Sequence, residues 1–425
     1  MLSSKCLKSS SFFYLARPTV QCFTRRSNST STPPEAPPNT PPDFYSTNLK
    51  RPQQQPQEHR FRHESSETPF TEEGRRKFAR LRKYQFHLSN IPDAPEFGTN
   101  QYLTINEELQ QQLKKVLTRF NAPIRYAVAY GSGVFKHTED DGKRKRVLDF
   151  IFGVSHPAHW HALNIQQNPH HYSALRFLGA NSVAMIQEKV GAGVYFNPYI
   201  EIDGMAIKYG IVSIDTLCRD LIDWDTLFLS GRMQKPVKIL RDDSRVRLAN
   251  QVNLTEAVRV ALLTLPEQFT EDEFYKRVAG ISYVGDLGIF RTATNPYKVA
   301  GMVQSQHSQF HRLYFSLLDD LPNVDVLSNG NLQQNLNPKF RGLMVQKLPK
   351  TLYKHVLDEH KRYCSSKSIA LAESTTELNE QVATSPHLKE YFDRSLYSII
   401  ARPAKIQNIK GILTAGLWNS VRGSP

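Results

Sequence analysis

The chain has 425 residues with 54 basic against 40 acidic side chains, a formal charge of +14, and that length suggests two or three folded domains. A hydrophobic share of 40% is enough for real cores and excludes a chain disordered throughout. No apolar run approaches the ~18 residues of a spanning helix, and Cys6, Cys22, Cys218 and Cys364, with no CxxC pair, exclude a disulfide scaffold or cysteine zinc site.

Residues 1–32 read as a mitochondrial transit peptide. No acid precedes Glu35, whereas Lys5, Lys8, Arg17, Arg25 and Arg26 alternate with apolar and hydroxyl residues. The apolar centre Phe12–Ala16 is too short for a secretory signal. Residues 33–85, Pro- and Gln-rich and then basic, read as a linker that buries nothing. A helix is predicted from Thr104, capped by Thr104 and Glu107, with Leu109, Leu113, Val116, Leu117 and Phe120 on one face. Strands follow at 125–130 and 147–154, a mixed helical segment at 156–189, and a hairpin of 194–202 and 205–212 turned at Asp203-Gly204. Strands with intervening helices predict an α/β or α+β domain over 86–245. The pattern then turns helical. Leu254–Leu265, a Thr270/Glu273-capped helix and Val299–Leu318 predict a small winged-helix-like domain over 246–325, and 326–425 forms a C-terminal region with a loose loop at 365–386.

The chemistry-bearing arrangement is Tyr130-Gly131-Ser132-Gly133 followed by Asp149 inside the apolar run Val-Leu-Asp-Phe-Ile-Phe. Glycines beside a serine let backbone N–H groups and a hydroxyl approach a phosphate, and a carboxylate on the next strand can hold Mg²⁺ against a triphosphate. A charge inside such a strand is costly unless it is paired or metal-bound. Nucleotidyltransferases of the polymerase-beta superfamily use this layout with a second acid two residues on, where this chain has Ile151. Glu201 and Asp203, at the end of the next strand, are the candidates to complete a metal site, although Asp-Gly is also ordinary turn chemistry. Lys208, in an apolar strand, and Arg232 and Lys235, in Gly231-Arg-Met-Gln-Lys-Pro236, are candidate phosphate partners. Five histidines lie between His156 and His171 without the spacing of a zinc site.

After Pro403 a helix over 404–422 is predicted. Ile406, Ile409, Leu413, Leu417 and Trp418 form its apolar stripe and every charge, Lys410 included, is positive; this describes a helix lying on an anionic membrane.

Several ordered segments carry a resemblance: Tyr130-Gly-Ser-Gly-Val-Phe135, Leu148-Asp-Phe-Ile-Phe152, Pro157-Ala-His-Trp-His161, Gly191-Ala-Gly-Val-Tyr-Phe-Asn197, Ile207-Lys-Tyr-Gly-Ile-Val212, Gly231-Arg-Met-Gln-Lys-Pro-Val237 and Lys410-Gly-Ile-Leu-Thr-Ala-Gly416. Across about residues 122–416 the chain resembles the mitochondrial CDP-diacylglycerol synthases, also called translocator assembly and maintenance proteins. The resemblance implies a nucleotidyltransferase domain, a winged-helix-type domain and a membrane-binding C-terminal segment. It also implies a Mg²⁺-dependent reaction of CTP with phosphatidic acid, giving CDP-diacylglycerol and pyrophosphate on the matrix face of the inner membrane, upstream of cardiolipin. Within that family a lone Asp replaces the two-acid pattern, so Ile151 fits. The resemblance implies no nucleic-acid partner. Two alternatives stand beside it: a nucleotidyltransferase acting on RNA, and a non-catalytic assembly factor for the protein-import machinery.

Overall fold

The computed structural model describes residues 98–135, 147–284, 296–319, 321, 323–327 and 330–415. The expected targeting segment and linker, together with Leu417 and Trp418, lie outside the described residues.

The first helix, α1, spans Glu107–Leu117. Its cap is Asn106, whose side chain accepts from the Leu109 amide, so the expected Thr104 cap is two residues early. Asn is as good a cap as Thr, and a sequence window holding both cannot choose between them. Strands β1 (Tyr126–Tyr130) and β2 (Val147–Val154) follow, then helices α2 (Pro157–Gln167) and α3 (Ala180–Lys189). The hairpin is β3 (Val194–Ile202) and β4 (Met205–Ser213), turned at Asp203 and Gly204, both at positive φ. Helix α4 (Ile214–Asp223), the short α5 (Ser230–Met233) and strand β5 (Val237–Arg241) complete the sheet region.

The five strands lie in the order β3-β4-β2-β1-β5. Only β2 and β4 are parallel, and the other neighbours are antiparallel. This is a mixed α/β sheet covered on both faces. Side-chain alternation divides it cleanly. Leu148, Phe150, Phe152, Ile207, Tyr209 and Ile211 meet α1 and Trp160 of α2 in one core. Val128, Ile151, Val194, Val212, Val237 and Ile239 meet Leu217 and Leu221 of α4 and Met233 of α5 in the other.

Helix α6 (Ser244–Thr264) runs on as a single 21-residue element. Its first turns join the sheet core through Val246 and Ala249, and its remainder joins the helical core through Leu254 to Leu263. Beyond β6 (Gln268–Phe269), α7 (Glu271–Gly280) opens with the expected Thr270/Glu273 capping box. The single helix expected over 299–318 is two, α8 (Pro296–Ser305) and α9 (His307–Asp319). Strands β7 (Val324–Val326) and β8 (Leu332–Gln334) form a second sheet in the order β6-β8-β7, which sequence reading missed because strands of two or three residues carry no periodicity.

Helices α10 (Pro338–Gln346), α11 (Lys350–Lys367), α12 (Thr375–Ala383) and α13 (Leu388–Ala415) close the described chain. The expected loose loop at 365–386 thus contains the last turn of α11 and all of α12, whose start Ser374 caps by accepting from the Glu377 amide. Pro403 does not start a helix either: α13 passes through it. Pro403 removes the bond to the Ile399 carbonyl. The helix is held on both sides of that gap, by Phe392, Leu396, Ile399 and Ile400 before it and by Gln407 and Lys410 after it. Among the described residues no helix is long and apolar enough to cross a membrane.

Candidate active site

At one end of the sheet β1 runs into a turn. Gly131 sits at φ +85°, a conformation L side chains rarely adopt, and its carbonyl accepts from the Val134 and Phe135 amides at 3.1 and 3.0 Å. Those bonds leave the Ser132 and Gly133 amides outside the turn's own pairing. A Cβ on Gly133 would lie 2.9 Å from the Val147 carbonyl, so the turn is pressed flat against the start of β2. A Cβ on Gly131 would lie 3.5 Å from the Asp149 carboxylate. The glycines therefore bring backbone N–H groups and the exposed Ser132 hydroxyl to the acid, as their spacing predicted.

Asp149 pairs with Tyr130 of β1 on one side and with Lys208 of β4 on the other. All three share the face covered by α4 and α5, and they stand where that cover ends. Lys208 Nζ is 3.7 Å from Asp149 Oδ1 and 4.8 Å from the centre of the Phe196 ring. Phe196 lies over Gly210, where any Cβ would come within 2.6 Å of its ring; Gly210 thus admits the ring that steers Lys208 toward the acid. Burial pushes the Asp149 carboxyl up, against the pull of Lys208 and then Arg232. Burial likewise pushes the Lys208 ammonium down, against the pull of Asp149. Burial raises the Tyr130 phenol to about 12, with Arg232 opposing.

Arg232 comes from α5. Its guanidinium stacks 3.8 Å from the centre of the Phe228 ring and donates to the Phe228 carbonyl, and its charge reaches Tyr130, Asp149 and Lys208. Lys235 precedes Val237, the residue of β5 paired with Tyr130, so it flanks the Gly-Ser turn. Its ammonium donates to Ser282 Oγ at 2.6 Å and lies 4.8 Å from the Tyr283 ring centre. The sheet end thus carries a row: Lys208, Asp149, the turn, then Arg232 and Lys235.

Two expected metal ligands are not brought into that row. Asp203 is held by Arg119 at 2.7 Å and by Lys115 at 3.6 Å, which keeps its carboxyl below the usual range, the hydrogen bond to Arg119 being the largest cause. It lies in the hairpin turn, five residues before Lys208. Glu201 pairs with Ala206 on the edge strand, two strands from β2 and therefore about 10 Å across the sheet. Both carboxylates stand at the same end of the sheet as the Gly-Ser turn, but Asp203 is claimed by Arg119 and Lys115 of the α1 side and Glu201 is separated from β2 by β4. Among the described residues no three His, Cys, Asp or Glu side chains cluster as a metal site.

Sequence reasoning missed the residue that holds Arg232 in place. Asp220, 3% exposed, accepts from the Thr226 amide and hydroxyl at 2.8 Å each through Oδ1. Its Oδ2 accepts from the Leu229 and Ser230 amides at 3.0 and 2.9 Å and from the Ser230 hydroxyl at 3.1 Å. Asn253 holds the other side, accepting from Trp224 and Gln234 and donating to the Ser230 carbonyl. Trp224 and Leu227 keep positive φ inside this braced loop. A signal was present: Asp220 falls between Leu217 and Leu221 on the buried stripe of α4, where a lone carboxylate needs donors.

The histidine segment is a buried polar network instead. His161 bonds Tyr172 and Gln187, Asn164 donates to Tyr172 and Tyr209, and His171 bonds Tyr209. Burial lowers both imidazoles to about 4, keeping them neutral.

In α13, Lys410, expected on the lipid side, is turned inward. It is 3% exposed, and its ammonium donates to the Val190 and Gln187 carbonyls at 2.7 and 3.2 Å. Gln407 brackets β3, and Thr414 is buried as well. The apolar residues Ile409 (58% exposed) and Leu413 (57%) face outward, while Ile406 is half-buried near Gly191.

The sequence profile of a family described as mitochondrial phosphatidate cytidylyltransferase matches residues 113–424. The chain belongs to that family. A mitochondrial phosphatidate cytidylyltransferase of Xenopus laevis is 37% identical over 321 residues, covering 74% of this chain and 92% of the relative. The Saccharomyces cerevisiae relative of the same name is 36% identical over 344 residues, covering 80% of this chain and 74% of its own. The Schizosaccharomyces pombe relative, named likewise, is 35% identical over 331 residues, covering 76% and 84%. The matched span contains the Gly-Ser turn, Asp149, Lys208, Arg232 and Lys235.

Proposed function

We propose that this family member transfers the cytidylyl group of CTP to phosphatidic acid, giving CDP-diacylglycerol and pyrophosphate on the matrix side of the mitochondrial inner membrane, for cardiolipin synthesis. The observation that carries the reading is the Asp149–Lys208 pair beside the glycine turn, inside a chain matched over most of its length by phosphatidate cytidylyltransferases. The mixed sheet with its Gly-Ser turn ahead of the acidic strand supports a place in the polymerase-beta superfamily. The small three-stranded sheet against α6, α7 and α9 supports a winged-helix-type second domain.

The nucleophile is a phosphate monoester, already anionic near neutral pH, so the site needs no strong general base. Its task is to hold two anions in line and to neutralise charge at the α-phosphorus. The Ser132 and Gly133 amides and the Ser132 hydroxyl bind phosphate oxygens. Lys208 stands on one side of the acid, and Arg232 and Lys235 on the other, so the triphosphate and the incoming phosphate are both met by cations. The Arg232 fork, pre-set by Phe228 and the Asp220 loop, orients its partner at little entropic cost.

One half-exposed carboxylate fits Mg²⁺, which is commonly held by one or two carboxylates together with substrate phosphates. Asp149 would hold the ion, which supplies charge neutralisation between the phosphates when bound.

The outward Ile409, Ile412 and Leu413 of α13, with no acid anywhere in residues 394–425, support contact with an anionic leaflet.

The test is turnover of CTP and phosphatidate vesicles by the purified protein. Wild type should release CDP-diacylglycerol and pyrophosphate in equal amounts, and Asp149→Asn should lose activity by at least about a hundredfold with an unchanged melting temperature. Asp149→Asn retaining more than about a tenth of wild-type activity would remove Asp149 from the chemistry.

A further inference from the structure

Between α2 and α3 the chain makes a short 3-10 turn, Ala174–Leu178, capped by Ser173 accepting from the Leu175 amide. At its end two large apolar side chains stand side by side in solvent: Phe177 is 78% exposed and Leu178 60%. Gly179 follows at φ +82° with nothing within 4 Å of a Cβ placed on it, so the turn projects from the body. Arg176 braces it, its guanidinium 4.9 Å from the Phe177 ring centre and donating to the Pro169 carbonyl at 2.6 Å. A folded chain does not ordinarily leave neighbouring Phe and Leu this bare without a partner for them.

Two observations say what that partner is. The first is charge. From Pro157 to Gly193 the one acid is Glu188, which is occupied by the Thr216 hydroxyl at 3.0 Å, while Arg176 and Lys189 are basic. The second is continuity. Helix α3 starts directly after Gly179, and its C-terminal end is where Lys410 anchors α13, whose Ile409, Ile412 and Leu413 face outward in another acid-free stretch. The ten residues of α3 span about 15 Å between this turn and the Lys410 anchor. Exposed apolar side chains flanked by bases, with acids excluded, match the interface of an anionic bilayer and mismatch a polar protein surface.

We propose that Phe177 and Leu178 form a second membrane contact, entering the headgroup–acyl boundary of an anionic bilayer. Two separate contacts fix the orientation of the protein on the surface, which a single terminal helix leaves free to roll. This rests on the reading of α13 as a lipid-facing helix and of the substrate as a bilayer lipid.

The experiment uses the full chain with three variants: Phe177→Ser/Leu178→Ser, Ile409→Ser/Leu413→Ser, and Phe177→Trp as a fluorescent reporter. Vesicles of phosphatidylcholine alone and of phosphatidylcholine with phosphatidylglycerol are the probes, and turnover is measured on a short-chain, water-soluble phosphatidate. The Phe177/Leu178 variant should bind anionic vesicles about tenfold or more weakly while melting as wild type and keeping its turnover of the soluble substrate. The Phe177→Trp emission should shift to the blue with anionic vesicles and hold still with neutral ones. Wild-type vesicle affinity in the Phe177/Leu178 variant together with an unshifted Phe177→Trp emission overturns the proposal. So does a concentration-dependent dimer of wild type that the same variant abolishes, which would make this turn an interface between copies. Should the double variant fold poorly, the reporter alone decides. Absence of turnover by wild type on the soluble substrate, with the blue shift present, would sink the proposed reaction and leave the membrane contact standing.

Discussion

Asp220→Asn is the most demanding test of how the site is held together. The wild-type carboxylate accepts five hydrogen bonds, three of them from the backbone amides of Thr226, Leu229 and Ser230. Asparagine is almost the same size, so no cavity forms. It keeps one acceptor oxygen, however, and places an NH₂ group against donors already pointing at it. Either orientation of the amide strands at least one backbone N–H, and an unsatisfied buried donor costs about 1–3 kcal/mol. Setting Oδ1 on the Leu229 and Ser230 amides, which are buried, leaves the Thr226 amide and hydroxyl facing the NH₂. The expected loss is about 2–4 kcal/mol, limited because the loop can relax and release strain at Trp224 and Leu227. Asp220→Ala should cost a similar amount despite removing more atoms. Urea unfolding followed by tryptophan fluorescence measures this, because Trp224 borders the loop. The functional readout is separate. Arg232 rides on this loop whereas Asp149 and Lys208 do not, so the KM for CTP should rise while the residual kcat stays within about tenfold of wild type. Two results would refute the reasoning: an Asp220→Asn midpoint within error of wild type, or a kcat collapse with KM unchanged.

Gly231→Ala would place a Cβ 2.4 Å from the Ser282 Cβ, so turnover should fall by about tenfold or more, and Gly231→Ala/Ser282→Gly should recover part of it; no recovery would place the defect elsewhere. Arg232→Lys keeps the charge and loses both the fork and the stack on Phe228, and kcat/KM for CTP should drop about tenfold; a silent change would make Arg232 a surface residue. Lys410 has a folded pKa lowered to about 7 from 10.5, chiefly by burial and against the pull of Glu188, with neutral His161 as its other titratable neighbour. Between those values the unfolded chain holds a proton that the folded chain has released, so stability rises with pH from about 7 to 10.5 by up to about 1.4 kcal/mol per unit. Urea midpoints across pH 7–10 should show that rise in wild type and a shallower one in Lys410→Met; parallel slopes would mean Lys410 titrates as if exposed.

What the sequence determined by itself was local. Strand β2 came out at its observed bounds and β3 and β4 within a residue, because side-chain alternation and the Asp203-Gly204 turn are properties of adjacent residues. The same holds for the Thr270/Glu273 cap and for the Gly-Ser-Gly turn ahead of Asp149, where backbone conformation dictates residue type. The stripe of Ile409 and Leu413 was legible too and faces outward as expected, but the inward turn of Lys410 was not legible. A periodic apolar face ordinarily points inward, and here Gln407, Lys410 and Thr414 point inward, because the carbonyls of Gln187 and Val190 and the edge of β3 demand donors there. Asp203 was readable as turn chemistry and remained a candidate ligand until Arg119, 84 positions away, claimed it. Asp220 gained its role from a loop that folds back over it. Each of these outcomes depends on which distant polar group arrives to complete a hydrogen bond, and spacing along the chain carries no record of that. Only the tertiary structure decides it.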